Sequence, residues 1–220
     1  MTSALFSPLR VAGLQLANRI AVSPMCQYSA QDGSATQWHM THLGMLAASG
    51  AGLLMVEATA VERAGRISHG DLGLYSYANE EALGRVVAHC RRNGAAKLGI
   101  QLAHAGRKAS AQRPWEGGKA LSAGEDPWET YAPSALPFGE GWHVPTEMRA
   151  ADMERVRRAH AEAATRALRL DFDVVEVHAA HGYLLHEFLS PVSNRRTDGY
   201  GGGLENRLRF PLEVFRAMRA

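Results

Sequence analysis

The feature that most constrains the fold is a regular alternation of strand-like and helix-like segments along the chain. Strand patterns occupy residues 19–25, 53–61, 97–103 and 173–179. The second of them reads LLMVEATAV, and a run that is apolar on both faces is typical of a buried parallel strand. Helical patterns follow these strands at residues 36–49, 80–92, 152–168 and from 204 onward. Four such repeats predict an α/β fold with a parallel sheet and right-handed crossovers.

Residue types at the ends of the helical segments suggest where each helix begins. Asn79 precedes two glutamates and is expected to cap the second helix, and Asp152 is expected to cap the third. Pro211 is expected either to kink the fourth helix or to mark its true first turn, since proline has no backbone N–H to donate.

Two segments interrupt the alternation. Residues 4–18 predict a short hairpin before the first strand. Residues 109–146 hold five of the nine prolines and three of the four tryptophans. A long, aromatic excursion of this kind is more typical of a lid over an active site than of a disordered linker.

Composition excludes several classes of protein. The chain is 46% hydrophobic and 21% charged, with a net charge of +2 and interspersed signs, so it predicts no nucleic-acid or anionic-membrane partner. No apolar run reaches the length of a transmembrane helix, and the N-terminus lacks a secretory pattern. Two cysteines are too few for a disulfide framework, which favours a cytoplasmic location. Whether the chain is a monomer or a homo-oligomer stays open.

Polar side chains follow the strands at their carboxyl ends, where functional groups collect in parallel βα units. The groups are a thiol, an amide, three histidines and two phenols: Cys26, Gln101, His104, His178, His181, Tyr28 and Tyr183. The spacing of His178 and His181 suits a metal site, but the first strand offers no histidine pair to complete one. The histidines could instead be structural. The third interpretation is a site that neutralises a developing oxyanion with paired imidazoles while a phenol supplies a proton.

Longer blocks of sequence then carry a family resemblance. They are SPMCQYSA at 23–30, LLMVEATAV at 53–61, GIQLAHAGRKA at 99–109 and VVEVHAAHGYLLHEFLSPVSNRRTDGYGG at 174–202. With these blocks in family order, the chain resembles the old yellow enzyme family, in the bacterial branch that has a cysteine near the flavin. The resemblance implies a TIM (β/α)8 barrel of which only the first four βα units are present. Residues 1–220 would then form an FMN-binding barrel domain that is incomplete at its C-terminus, with the lid inserted at 109–146.

The resemblance also implies a function and roles for individual residues. The expected activity is an FMN-dependent, NAD(P)H-driven reduction of activated C=C bonds in small molecules, such as α,β-unsaturated carbonyl or nitro compounds. The cofactor-binding residues would be Ser23, Pro24, Met25, Cys26, Ala58 and Gln101. Tyr28 would contact the substrate, His178 and His181 would grip its oxygen, and Tyr183 would donate the proton. No metal is expected.

Two other hypotheses stay open. The chain could be a truncated, non-catalytic half-barrel that does not retain flavin. It could also be part of a larger relative whose iron–sulfur cysteines lie downstream. One local departure concerns the turn before the fourth strand, where relatives usually place Ala-Gly and this chain has Leu170-Asp171. Asp tolerates the left-handed conformation that such a turn needs better than most residues do, so the departure leaves the local turn open without affecting the site.

Overall fold

The centre of the molecule is a four-stranded parallel sheet with the order β3-β4-β5-β8. The computed structural model describes residues 3–220. The strands are β1 (Leu9–Val11), β2 (Leu14–Leu16), β3 (Ala21–Val22), β4 (Leu53–Ala60), β5 (Lys97–Ala103), β6 (Tyr131–Ala132), β7 (Thr146–Glu147) and β8 (Val174–Val177). The helices are α1 (Gln37–Ala47), α2 (Tyr77–Asn93), α3 (Ala150–Arg169), α4 (Leu184–Leu189) and α5 (Leu204–Arg219).

The predicted strands form the sheet in chain order. The two central strands, β4 and β5, are longer than the two edge strands, β3 and β8. β4 and β5 have a partner on each side, and almost all of their residues are buried. β3 pairs only with the first two residues of β4, so it covers two residues rather than the predicted seven at 19–25. Leu54, Ile100 and Leu83 are fully enclosed between the sheet and the helices, which gives the α/β core its centre.

Two predicted helix caps are wrong, each by one turn. Ser76 caps α2, and its Oγ accepts the backbone N–H of Asn79, which lies inside the helix. Asn79 instead uses its side-chain amide to bind the carbonyl of Asp32. Likewise Arg149 precedes α3, and Asp152 in the first turn accepts the backbone N–H of Arg149 at 3.0 Å. In both cases the predicted cap is the third residue of the helix. Polar side chains are common at the N-cap and also at this third position, so the residue type alone does not distinguish the two.

The C-terminal helices differ from the expectation in two ways. α5 begins at Leu204 and continues past Pro211, so the alternative that Pro211 lies in the first turn is wrong. The short helix α4, immediately after the histidine-rich loop, was not predicted. Its six residues are too few for the periodicity to show, although Leu184, Leu185 and Phe188 are all buried.

The two interrupting segments lie at opposite ends of the sheet. The predicted hairpin at 4–18 is present as the antiparallel pair β1 and β2. Beyond it, Asn18 bonds to the carbonyl of Gly50 and the N–H of Gly52, just before β4 begins, so the hairpin adjoins the amino ends of the strands. The segment 109–146 follows β5 at the carboxyl end and contains little regular structure besides β6. Among residues 3–220, no helix combines the length and apolarity needed to cross a membrane.

Candidate active site

Three neighbouring strands place a row of side chains at one level of the sheet. Ala58 on β4 pairs with Gln101 on β5, and Gln101 pairs with Glu176 on β8. Residues in register on parallel strands project to the same face, so a methyl group, an amide and a carboxylate lie side by side. The amide nitrogen of Gln101 donates to Glu176 at 2.5 Å. The row therefore places the hydrogen-bonding groups of Gln101 and Glu176 beside the small side chain of Ala58.

A register shift in β4 sets this row. Val56 pairs with Ile100 and Ala58 with Gln101, so Glu57 is an extra residue on its strand, a β-bulge. Bulges re-aim side chains and are common beside active sites. The Glu57 carboxylate is 4% exposed, accepts a hydrogen bond from the backbone N–H of Gln27 and lies 2.9 Å from Nε2 of His39. The bulge thus connects β4 to the loop that follows β3.

That loop carries the cysteine and the first phenol. The Cys26 side chain is partly exposed, but burial, together with the carboxylates of Asp71 and Glu57, raises the pKa of its thiol far above the ordinary value. Burial likewise raises the pKa of Tyr28 to about 12, with Cys26 as the next contributor. Trp115, from the segment 109–146, packs edge-on against Tyr28 with ring centroids 5.7 Å apart. Both groups hold their protons at neutral pH.

A tight turn after β8 gathers the remaining predicted residues. The N–H of Tyr183 donates to the carbonyl of Ala180 at 3.1 Å, and the two residues between them, His181 and Gly182, both have positive φ. The His178 ring lies edge-on to His181 at 5.1 Å and to Tyr183 at 4.9 Å. The two imidazoles and the phenol therefore form one cluster.

Hydrogen bonding fixes the tautomer of His178. Its Nδ1 accepts the backbone N–H of Ala180 at 3.2 Å, so in the neutral ring the proton resides on Nε2. Burial, aided by the neighbouring His181, lowers the pKa of His178, which keeps the ring neutral at pH 7. His178 can therefore donate from Nε2 without carrying a charge.

The Tyr183 phenol connects this cluster with the loops of the other strands. Burial raises its pKa well above the ordinary value, and Cys26, Tyr28 and Asp71 are the charged or ionisable neighbours that add to the rise. Tyr183 also lines a small cleft together with Ala58 and Asp71. The turn after β8, the end of β4 and the loop before α2 therefore meet at the carboxyl edge of the sheet.

Of the predicted site residues, Ser23, Met25 and His181 are exposed. Ser23, Pro24 and Met25 lie between β3 and Cys26, and the Met25 side chain is 67% exposed. His104, also singled out in the sequence, faces away from the cluster, since its Nε2 bonds to Glu62 at 3.0 Å. No group of three or more potential metal ligands occurs within residues 3–220.

Sequence reasoning assigned no role to several residues that shape the site. They are Lys108, Glu57, Asp71, Glu176 and Glu187. The Lys108 ammonium donates to the carbonyl of His181 at 2.9 Å and lies 4.8 Å above the Tyr183 ring. A signal was available for the glutamates of β4 and β8, because a charged residue inside an otherwise apolar strand needs a partner.

A family model covers almost the whole chain. The model described as the NADH:flavin oxidoreductase / NADH oxidase family matches residues 4–220. The chain belongs to that family. Among curated proteins, it is 48% identical over 218 residues to an NADH:flavin oxidoreductase of Gibberella zeae, covering 97% of this chain and 52% of that one. It is 47% identical over 221 residues to an NADPH dehydrogenase of Geobacillus thermodenitrificans, covering 100% of this chain and 60% of that one.

Solved structures of family relatives have the same fold over this region. Morphinone reductase superposes with a TM-score of 0.84 at 32% identity, covering 98% of this chain and 58% of that one. An old yellow enzyme from a Pichia species gives 0.85 at 31% identity, covering 98% of this chain and 56% of that one. The chain therefore spans between half and two thirds of the length of these relatives, and its sheet resembles part of their barrel.

Proposed function

We propose that this chain contributes the catalytic face of an FMN-dependent, NAD(P)H-driven reductase of activated C=C bonds. The observation that carries the proposal is the cluster of His178, His181 and Tyr183 in the turn after β8, where Tyr183 lines one cleft together with Ala58 of β4. Paired imidazole donors beside a protonated phenol suit the stabilisation and protonation of an enolate-like species.

The residues at this edge fit a flavin. Ala58, Ala60 and Ala103 are small residues at this edge, so a flat ring would meet little side-chain bulk there. The Gln101 amide has both a donor and an acceptor for the edge of a pyrimidine. Ser23, Pro24, Met25 and Cys26 would hold the ring from the β3 side. When bound, FMN would take a hydride from NAD(P)H and pass it to the β-carbon of the substrate.

The remaining chemistry belongs to the chain itself. Nε2 of His178, with the ring of His181 beside it, would donate to the substrate oxygen and stabilise the charge that develops there. The Tyr183 hydroxyl would hold the proton that is delivered to the α-carbon, and Tyr28 would contact the substrate. Nitro groups place their oxygens similarly, so nitro-substituted alkenes are included in the substrate class.

The names of the relatives support the choice of reductant. One is an NADPH dehydrogenase and another an NADH:flavin oxidoreductase, and morphinone reductase has been solved in complex with tetrahydroNAD. We therefore propose NAD(P)H without a preference between the two forms. We also propose that the full protein closes as an eight-stranded barrel and acts in the cytoplasm, where its two free cysteines would stay reduced.

The segment 109–146 has the contacts of a lid. Trp115 packs on Tyr28, and Phe138 lies 4.8 Å from the Lys108 ammonium, itself above the Tyr183 ring. Trp128 anchors the segment to the loop before α2 through a hydrogen bond to the carbonyl of Ala64. We propose that this lid covers the substrate from the side opposite the sheet.

The proposal is tested first by flavin retention. The purified protein is incubated with FMN and passed through a gel-filtration column, and its visible absorption is recorded. A flavin spectrum that travels with the protein supports the proposal, whereas loss of all flavin favours the alternative of a half-barrel without cofactor.

Turnover of an α,β-unsaturated ketone with NAD(P)H then tests the histidine. His178→Ala is expected to lower turnover on the order of 10²- to 10³-fold, as for loss of one oxyanion donor, while flavin stays bound. His89→Ala, on the outer helix α2, is the matched control and should leave turnover unchanged. Equal turnover in both variants would reject the assignment.

A further inference from the structure

The carboxylate of Glu57 lies directly behind the loop that carries Cys26 and Tyr28. It is the bulged residue of β4, and both of its oxygens are engaged: Oε2 accepts the backbone N–H of Gln27, and Oε1 lies 2.9 Å from Nε2 of His39. Gln27 is the residue between the cysteine and the tyrosine. A side chain from the sheet thus holds the loop at its centre.

His39 is oriented so that it can hold Glu57 in place. Its Nδ1 accepts the backbone N–H of Thr36 at 3.0 Å at the start of α1, so the proton of the neutral ring resides on Nε2 and points at Glu57. His39 is fully buried and Glu57 nearly so. A buried carboxylate with two such donors keeps a fixed position.

The loop needs this anchor because its backbone is strained. Tyr28 has a φ of 50°, a left-handed conformation that a tyrosine rarely adopts. The Thr36 hydroxyl donates to the carbonyl of Ser29 at 3.0 Å, and the N–H of Ala30 donates to Gly70 at 2.8 Å. Contacts from α1, from β4 and from the loop before α2 therefore hold the segment.

We propose that Glu57 is a positioning residue of the active site: held by His39, it fixes the Cys26–Tyr28 loop and so sets the surroundings of the Cys26 thiol. The inference rests on the proposed function in giving this loop a place beside the flavin. The ionisable groups that face Cys26 are Glu57 from β4, Asp71 from the loop before α2, Tyr28 in its own loop and Tyr183 from the turn after β8. All four are acidic groups, so none of them favours a thiolate.

The test measures Cys26 directly and without flavin, so that failure of the flavin chemistry does not affect it. The Cys90→Ala background removes the second thiol, which is buried on α2. The rate of alkylation by iodoacetamide is followed against pH, since only the thiolate reacts. Glu57→Gln removes the charge with little change of shape. We expect its alkylation rate at pH 8 to rise roughly tenfold, which corresponds to a fall of one unit in the thiol pKa.

A second histidine–carboxylate pair supplies the control. Glu62, two residues beyond the end of β4, lies 3.0 Å from Nε2 of His104 and is also largely buried. Glu62→Gln therefore disturbs a similar pair away from Cys26 and should leave its alkylation profile unchanged. The proposal is overturned if folded Glu57→Gln alkylates at the parent rate, or if Glu62→Gln accelerates the reaction equally.

A measurement on the unaltered chain covers the case in which Glu57→Gln does not fold. Hydrogen exchange of the Gln27 amide reports the bond to Glu57, and we expect this amide to exchange at least about tenfold more slowly than an unprotected one. Exchange at the unprotected rate would show that Glu57 does not hold the loop.

Discussion

Two side chains of the candidate site stand on residues with left-handed backbone, Tyr28 with φ 50° and His181 with φ 57°. Such conformations cost of order 1–3 kcal/mol each and persist only where surrounding bonds enforce them. Glu57 restrains the first through Gln27, and the Lys108 ammonium binds the carbonyl of the second at 2.9 Å. At the scale of single residues, the site is therefore held in shape by groups that need not touch the substrate.

The Tyr183 hydroxyl can be tested by removing one atom. Burial raises the pKa of this phenol, so it keeps its proton across the neutral range, and Tyr183→Phe should fold and bind flavin normally. Turnover of an enone should fall about 10²- to 10⁴-fold because the α-carbon loses its proton donor. Steady-state rates check this, with Tyr200→Phe as the control, since the Tyr200 hydroxyl bonds to Glu213 on α5. Equal rates in the two variants would show that Tyr183 is not the donor.

At the scale of elements, the short helix α4 is locked beneath the loop that follows β5. Glu187 on α4 is 1% exposed, and its Oε1 accepts the backbone N–H of Arg107 at 3.0 Å. Burial raises the pKa of Glu187 well above its ordinary value. Gly106 makes the contact possible, because a Cβ at this position would lie 2.2 Å from Oε1 of Glu187. The loop of Lys108 and the turn of His181 are thereby set relative to each other.

Two glycine substitutions distinguish the cost of a collision with Glu187 from the cost of backbone strain alone. Gly106 and Gly50 both have positive φ, 63° and 86°, but nothing lies within 4 Å of a Cβ built on Gly50. Gly50→Ala should lower the free energy of unfolding by about 1 kcal/mol. Gly106→Ala should cost roughly 2 kcal/mol more, because the collision forces α4 away. Denaturant titration measures both, and equal losses would contradict the tight docking of α4.

At the scale of the whole molecule, a fully buried histidine on α3 makes stability depend on pH. His160 is fully buried; its Nδ1 donates to the carbonyl of Val156 at 2.9 Å, while Nε2 has no partner among the residues described. Burial lowers its pKa to about 4, and the nearby His104 adds to the shift. The His160 imidazole therefore binds a proton less readily in the folded state than in the unfolded chain, where the pKa of histidine is near 6.5.

The stability of the fold should consequently depend on pH between about 6.5 and 4. Below pH 6.5 the unfolded chain binds this proton and the folded one does not, so the free energy of unfolding falls as pH falls, by at most about 3 kcal/mol from this group. His160→Leu, of similar volume and without an ionisable ring, should reduce that slope. Urea titrations of both chains at several pH values check it, and equal slopes would show that His160 is not the source.

Particular residues show how far the sequence was informative. The sequence left the turn at Asp171 open, where relatives have glycine, and the structure forms it with Asp171 in the left-handed region at a φ of 63°. The strand at 97–103 matches β5 residue for residue, because its apolar run and flanking signals are local. The caps predicted at Asn79 and Asp152 are wrong, because both helices begin three residues earlier. The first residue of a helix depends on the path of the preceding loop, which the sequence pattern does not give.

The sequence by itself determined the order of strands and helices, the parallel sheet and the family, because periodicity and long motif blocks are properties of contiguous residues. Only the tertiary structure decided which groups act together. The bulge at Glu57, its bonds to His39 and Gln27, and the contact of Lys108 with His181 all join residues far apart in the chain. Distance and burial, which set hydrogen bonds and pKa values, exist only once the strands have packed.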